Sequence, residues 1–233
     1  MPEITDRVPQ KAEFRWAGVG SIVENHTEMP EDGRRRTTVV LQSNEEVPAG
    51  REPNRVQVTF RGEVAEKVAK LETGSVVGVK GGIGGTMITD KAGSKRAFAS
   101  LSGYEIDTNV SPDEPQGFVF QARGAVAHEP SYGETKGMAM SKVILGRQFN
   151  GFLGPQESNI EIGSWRAQAM VLREAQPGQE MYVEGVVRGR TYQKDGKERW
   201  ATDLTARDVI MLNAPEVNKQ QQVAGPKGPG LGV

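Results

Sequence analysis

Residues 180–212 read EMYVEGVVRGRTYQKDGKERWATDLTARDVIML. Two runs of strand-forming residues flank Lys194-Asp195-Gly196-Lys197, where Asp-Gly offers the positive φ that a tight hairpin needs. Alternation along the first run puts Met181 and Val183 on one side and Tyr182, Glu184 and Val186 on the other. The second side continues as Arg188, Arg190 and Tyr192, so two guanidiniums and a ring project together from a long ribbon. The returning run carries Arg199, then Trp200, Thr202, Leu204 and Ala206 on one face. A basic, aromatic ribbon longer than its own core requires is a reaching arm, and its chemistry suits phosphates and bases.

Working outward, the same pattern recurs earlier in the chain. Gly74-Ser-Val-Val-Gly-Val-Lys-Gly81 answers Gly178-Gln-Glu-Met-Tyr-Val-Glu-Gly185, an offset of 104 residues. Past the hairpin the offset becomes 103, since Gly93 and Arg96 answer Gly196 and Arg199. A one-residue change at a turn tip is where a duplication tolerates it. Trp16-Ala-Gly-Val-Gly-Ser-Ile-Val answers Phe120-Gln-Ala-Arg-Gly-Ala-Val-Ala, and the strands Thr37-Thr-Val-Val-Leu and Ser141-Lys-Val-Ile-Leu follow. These are two copies of one module.

Each copy reads as strand, strand, strand, short helix, strand, strand. In the first copy the strands are expected near 14–25, 34–43, 54–61, 75–83 and 95–107, with a helix over 63–72. Val64, Val68 and Leu71 at i, i+4 and i+7, with Gly74 beyond, carry the helix reading. In the second copy, Met170 to Pro177 allows only about a turn. The fold class is therefore all-β: two tandem OB-fold barrels, each five-stranded with a short helix between strands 3 and 4. The expected boundaries are a flexible extension over 1–13, barrels over 14–107 and 118–212, a polar linker over 108–117 and a disordered tail over 213–233.

The pattern Gly178-x-x-x-Tyr-Val-Glu-Gly-x-x-Arg-x-Arg-x-Tyr-x-Lys-Asp-Gly-Lys-x-Arg-Trp-x-Thr202 closely resembles the fourth and fifth strands of the bacterial single-stranded DNA-binding protein family. Arg55-Val-Gln-Val-Thr-Phe-Arg-Gly-Glu-Val is similar to that family's third strand and helix entry, and Trp165-Arg-Ala-Gln-Ala occupies its Trp-containing third strand. The resemblance implies sequence-tolerant binding and protection of single-stranded DNA in replication, recombination or repair. It resembles the less common two-barrel subtype, which pairs as a homodimer to keep four barrels. The tail departs from the family: Glu216 is its only acid and the chain ends Gly-Leu-Gly-Val. Recruitment of replication enzymes through an acidic tip is therefore not expected, and tails of this kind are associated with phage or mobile-element versions.

Composition narrows the function classes further. Twenty-nine basic and thirty acidic residues leave a net charge of −1, so a nucleic-acid site must be a local groove rather than a bulk field. There is no cysteine, which removes disulfides, thiolate metal sites and a cysteine nucleophile. His26 and His128 lie in different modules without ligand partners nearby, and Gly81-Gly-Ile-Gly-Gly lacks the Lys-Ser/Thr of a phosphate loop and reads as a flexible strand-loop segment. No enzyme chemistry, cofactor or metal is expected. No apolar run spans a bilayer and the N-terminus is not a signal peptide, which points to the cytoplasm, nucleoid-associated or in a host cell if viral.

The candidate binding residues are the arm cations Arg188, Arg190, Lys194, Lys197 and Arg199 with Tyr192, and the rings Trp165, Phe149, Phe152 and Trp200. Arg34, Arg36, Lys95 and Arg96 are candidate contacts in the first copy. Bland roles stand beside these. Trp200 shares its face with Leu204 and Ala206 and equally suits packing; Trp165 alternates with Ala167 and Ala169; Phe149 and Phe152 flank Asn150-Gly151 in an expected loop. The first hairpin, Gly82-Ile-Gly-Gly-Thr-Met-Ile-Thr, lacks the arginines and ring of the second, so the second barrel is expected to contribute more binding energy. The first copy's β-surface is expected to serve inter-chain packing. Two other readings remain open: an OB-fold assembly or adaptor protein of a replication or restart complex, and a single-stranded RNA binder.

Overall fold

The structure, a computed structural model, describes residues 9–30, 35–45, 52–89, 93, 95–151 and 154–213. Arg34, Phe152, residues 1–8 of the expected extension over 1–13 and residues 214–233 of the expected tail over 213–233 lie outside the described residues. The first unit runs β1 (Glu13–Glu28), β2 (Arg36–Gln42), β3 (Arg55–Arg61), α1 (Gly62–Val68), β4 (Val76–Thr89) and β5 (Lys95–Asp107). The second runs β6 (Gly117–Val126), β7 (Ser131–Thr135), β8 (Met138–Gly151), β9 (Gly154–Trp165), α2 (Ala167–Arg173), β10 (Glu180–Lys194) and β11 (Lys197–Met211).

In the first unit β1 pairs with both β2 and β4, and β3 joins β2 on one side and runs parallel to β5 on the other, which closes a ring. The second unit closes the same way through β6–β8, β6–β10, β8–β9, the parallel β9–β11 pair and β10–β11. Two tandem five-stranded OB-fold barrels result, each with its helix between the third and fourth barrel strands. β1 is continuous where its counterpart splits into β6 and β7, since Pro130 between them has no N–H for the ladder.

The cores repeat position by position. Val39, Leu41, Val58, Val79 and Leu101 are buried in one barrel, and Val143, Leu145, Ile162, Val183 and Leu204 are buried at the answering positions in the other. β1 lies antiparallel to β6 with Trp16 opposite Phe120, and these two are equivalents in the repeat. A pseudo-twofold axis therefore passes between them. It passes again between Ala99 of β5 and Thr202 of β11, equivalents that also pair.

The axis makes the two long hairpins exchange partners. The Gly85 N–H donates to Ser158 Oγ at 3.0 Å on the second barrel, and the Gly189 N–H donates to Asn54 Oδ1 at 3.3 Å on the first. Asn54 also donates to the Val187 carbonyl at 2.9 Å. Each arm thus lies across the barrel it does not belong to.

Three local expectations are corrected. The glycine run Gly81–Gly85 is not a flexible segment but the middle of β4, because its glycines admit neighbouring backbone: a Cβ on Gly81 would stand 1.7 Å from the Ser102 carbonyl. α2 begins at Ala167, so Ala167 and Ala169 do not continue the alternation of Trp165, and the helix is as long as α1. Phe149, Asn150 and Gly151 belong to β8, whose hairpin with β9 is regular up to the Gly151–Gly154 pair rather than a loop.

Candidate nucleic-acid interface

The hairpin tip forms as its sequence dictates: Asp195 at φ 54° and Gly196 at φ 70° give the two positive values of a two-residue turn matched to strand twist. Residues directly opposite on paired strands share a face. Arg188 faces Asp203, Arg190 faces Ala201 and Tyr192 faces Arg199, so the arginines and the ring do project together. The bulge falls deeper, between Glu184 and Gly185, and leaves this alignment intact.

Arg190 is tethered from both sides. Its Nε donates to Asp203 Oδ2 at 2.7 Å, and its guanidinium stands 5.9 Å from the centroid of Tyr192. Arg188 is exposed with no ion pair among the described residues. Trp200 pairs with Thr191 and shares a side with Gly189, so the half-buried indole turns toward the first barrel and away from Arg188 and Arg190.

A groove of about 560 Å³ runs between this arm and the outer face of β8 and β9. Arg188, Arg190, Trp165 and Arg96 line it, joined by Lys142, Met140 and Phe98. Trp165 sits opposite Met140 and is 39% exposed; Phe98, supplied by the first barrel's arm, is 42% exposed beneath the Arg96 guanidinium, 6.0 Å from its centroid. Two open rings and four cations therefore share one concavity. Its carboxylates are Glu161, held by Lys142 at 2.8 Å and Arg96 at 3.8 Å, and Asp203, held by Arg190.

The other candidates lie elsewhere. Lys194 and Lys197 are exposed at the hairpin tip, and Arg199 is exposed beside them on the arm. Lys95 is exposed at the tip of the first arm, next to Arg96, and does not line the groove. Arg36 starts β2 directly opposite Arg61. Phe149 stands near the far end of β8, stacked 5.1 Å from Arg147, whose other side lies 5.0 Å from the buried Phe14 ring. Burial pulls the Arg147 pKa below its ordinary value, with Tyr104 and Glu13 opposing the shift.

Sequence reading missed Phe98, Met140 and Lys142. Met140 and Lys142, two residues apart, share one face of β8, and only the β8–β9 register shows that Trp165 shares it. Among the described residues no three metal-ligating side chains converge, and no helix is long and apolar enough to cross a membrane.

No family model and no curated protein sequence matches this chain. Solved structures do. A deletion mutant of the single-stranded DNA binding protein from Thermus aquaticus superposes with a TM-score of 0.66 at 17% identity, covering 89% of this chain and 100% of that one. The wild-type protein from the same organism gives 0.64 at 18% identity, covering 94% and 98%. The chain thus shares the fold of the Thermus aquaticus single-stranded DNA binding protein over nearly the whole length of both.

Proposed function

We propose that this chain binds single-stranded DNA with little sequence preference and shields it, without catalysis, during replication, recombination or repair. The observation that carries the reading is the groove in which Trp165 and Phe98 stand open among Arg96, Lys142, Arg188 and Arg190. Rings stack on any base, and cations follow the backbone, so such a site is sequence-tolerant. Tyr192, Lys194, Lys197 and Arg199 extend the cationic surface along the arm. The units over 14–107 and 118–212 act as the two binding barrels, and the cytoplasm is the proposed setting.

The reading extends to a homodimer with four barrels. The outer face of the central β4-β1-β6-β10 sheet holds a depression of about 660 Å³ in which Val119 is 49% and Tyr104 63% exposed. Its charges are balanced, Arg15, Lys80 and Arg207 against Glu105, Glu184 and Asp208, which suits a second copy better than a polyanion.

The test is titration of poly(dT) into the full chain, followed by tryptophan fluorescence, against duplex DNA and poly(U). Quenching by poly(dT) that weakens with salt is expected. Equal binding of duplex, or none of poly(dT) at low salt, sinks the reading; a preference for poly(U) redirects it to RNA.

A further inference from the structure

The helices α1 and α2 are equivalents in the repeat and bury the same positions, Ala65 and Val68 in one, Ala169 and Leu172 in the other. Their outward faces differ. α1 turns Glu63, Glu66 and Lys67 to solvent, as a surface helix does, whereas α2 turns out Ala167, Met170 and Val171. On the neighbouring ladder, Thr27 opposite Thr37 is answered by Tyr132 opposite Ser141. A charged surface in one barrel is thus apolar in the other, and neither face belongs to its core. Exchange of Glu and Lys for Met and Tyr is the compositional mark of an interface centre.

The exposed side chains are contiguous. The Arg173 guanidinium stands 4.7 Å from the Tyr132 ring centroid, and Met170 lies one turn before Arg173 on the helix. The Arg166 Nη2 lies 4.0 Å from Met138 Sδ. Tyr132, Met138, Met170 and Val171 are all exposed, and none of them lines the groove that holds Trp165.

Cations rim this centre. Arg166 has no ion pair among the described residues, and it keeps φ 55° and ψ −125° where the first barrel has Gly62. Glycine would relieve that strain, and strain of this kind persists where the side chain has a use. Arg173 meets Glu174 at 3.8 Å, with both side chains exposed, and Lys136 is exposed in the turn before Met138. The remaining acid of the face, Glu134, has no ion pair among the described residues.

We propose that the outward face of α2, with Tyr132 and Met138, is a docking surface for an acidic, apolar segment of a partner protein. Met170, Val171 and Tyr132 receive its apolar side chains, and Arg166 and Arg173 its carboxylates. Thioethers adapt to irregular apolar surfaces, and a guanidinium grips a carboxylate through two parallel hydrogen bonds. Nucleic acid suits the face less well, because Arg173 already occupies the Tyr132 ring and the methionines offer a base no flat platform. The inference goes beyond the single-strand reading and does not depend on it.

The test is a fluorescence-anisotropy titration of the full chain with a labelled peptide of about fifteen residues, built from Asp and Glu with Leu and Phe. A second peptide has Lys in place of every acid, and labelled oligo-dT is titrated in parallel. Saturable binding of the acidic peptide alone is expected. Met170→Glu with Val171→Lys, which installs the residues of α1, should weaken it at least about tenfold and leave oligo-dT binding and melting temperature unchanged. Arg166→Gly should also weaken it, by about tenfold, while raising the urea midpoint, a separation that damage to the fold would not produce. No binding of the acidic peptide, equal binding of the lysine peptide, or wild-type peptide binding by the double variant overturns the proposal. So does a loss of oligo-dT affinity in the double variant, which would give the face to nucleic acid, or a smaller assembly by light scattering, which would give it to a second copy.

Discussion

Gly189 of β10 lies so close to the Arg55 carbonyl of β3 that a Cβ would stand 2.0 Å from that oxygen. Gly85, its equivalent, meets the Asn159 carbonyl in the same way at 1.8 Å, and Asn159 is the equivalent of Arg55. The obstructing atoms are backbone, which cannot swing aside. Gly189→Ala and Gly85→Ala should therefore each destabilise the chain by about 2 kcal/mol, the usual scale of overpacking. Urea midpoints check this. Wild-type midpoints in both would mean that the arms do not dock on the opposite barrels.

Arg166, between Trp165 and α2, holds φ 55° and ψ −125°, a conformation L-residues rarely adopt. At the answering position the first barrel has Gly62, at φ 62°. The strain is of order 1–3 kcal/mol, and glycine gives back part of the gain through its freer unfolded chain. Arg166→Gly should thus raise stability by about 1 kcal/mol, read from the same denaturation curves. A loss would show that the Arg166 contact with Met138 Sδ, at 4.0 Å, outweighs the backbone term.

Val119 and Tyr104 sit exposed on the charge-balanced central face. A carboxylate placed there would upset the charge balance of the face and be desolvated in a self-associated form, at a cost of several kcal/mol. Val119→Glu should convert a dimer to a monomer by light scattering while leaving the melting temperature of the monomer unit close to that of the wild type. A monomeric wild-type chain at high concentration would refute the pairing.

What could be read from residues alone was whatever repeats at short range. The offset of 104, the Asp195-Gly196 turn and the alternation of Arg188, Arg190 and Tyr192 all depend on neighbours in the chain. The exchange of arms does not. It follows from contacts such as Gly85 with Asn159, whose partners are remote in sequence, and a glycine run seen in isolation reads as looseness rather than close approach. The groove was half legible for the same reason. Trp165 and the arginines carry their chemistry in their types, but Phe98 and Lys142 become site residues only when strands from both barrels meet.

Glu161 restrains two of the groove's cations, Lys142 at 2.8 Å and Arg96 at 3.8 Å. A phosphate arriving there competes with a fixed carboxylate. Glu161→Gln removes that competitor and keeps the shape, so oligo-dT affinity should rise several-fold at low salt and the salt slope should steepen by up to about 1.4 as both cations become free. Anisotropy titrations at a series of salt concentrations read both quantities. Weaker binding would place the strand elsewhere.

Trp165 and Trp200 separate base stacking from packing. Trp165 is 39% exposed on the outer face and lines the groove, while Trp200 is half-buried and turned toward the first barrel. Stacking on an aromatic ring is worth about 1–3 kcal/mol per base, so Trp165→Ala should weaken oligo-dT binding about tenfold to a hundredfold with little change in melting temperature. Because stacking neutralises no phosphate, the salt slope should stay at the wild-type value. Trp200→Ala should do the reverse, lowering the melting temperature by loosening the arm before it affects affinity. If instead Trp165→Ala binds normally and Trp200→Ala abolishes binding in a folded chain, the bases stack beneath the arm on the first barrel.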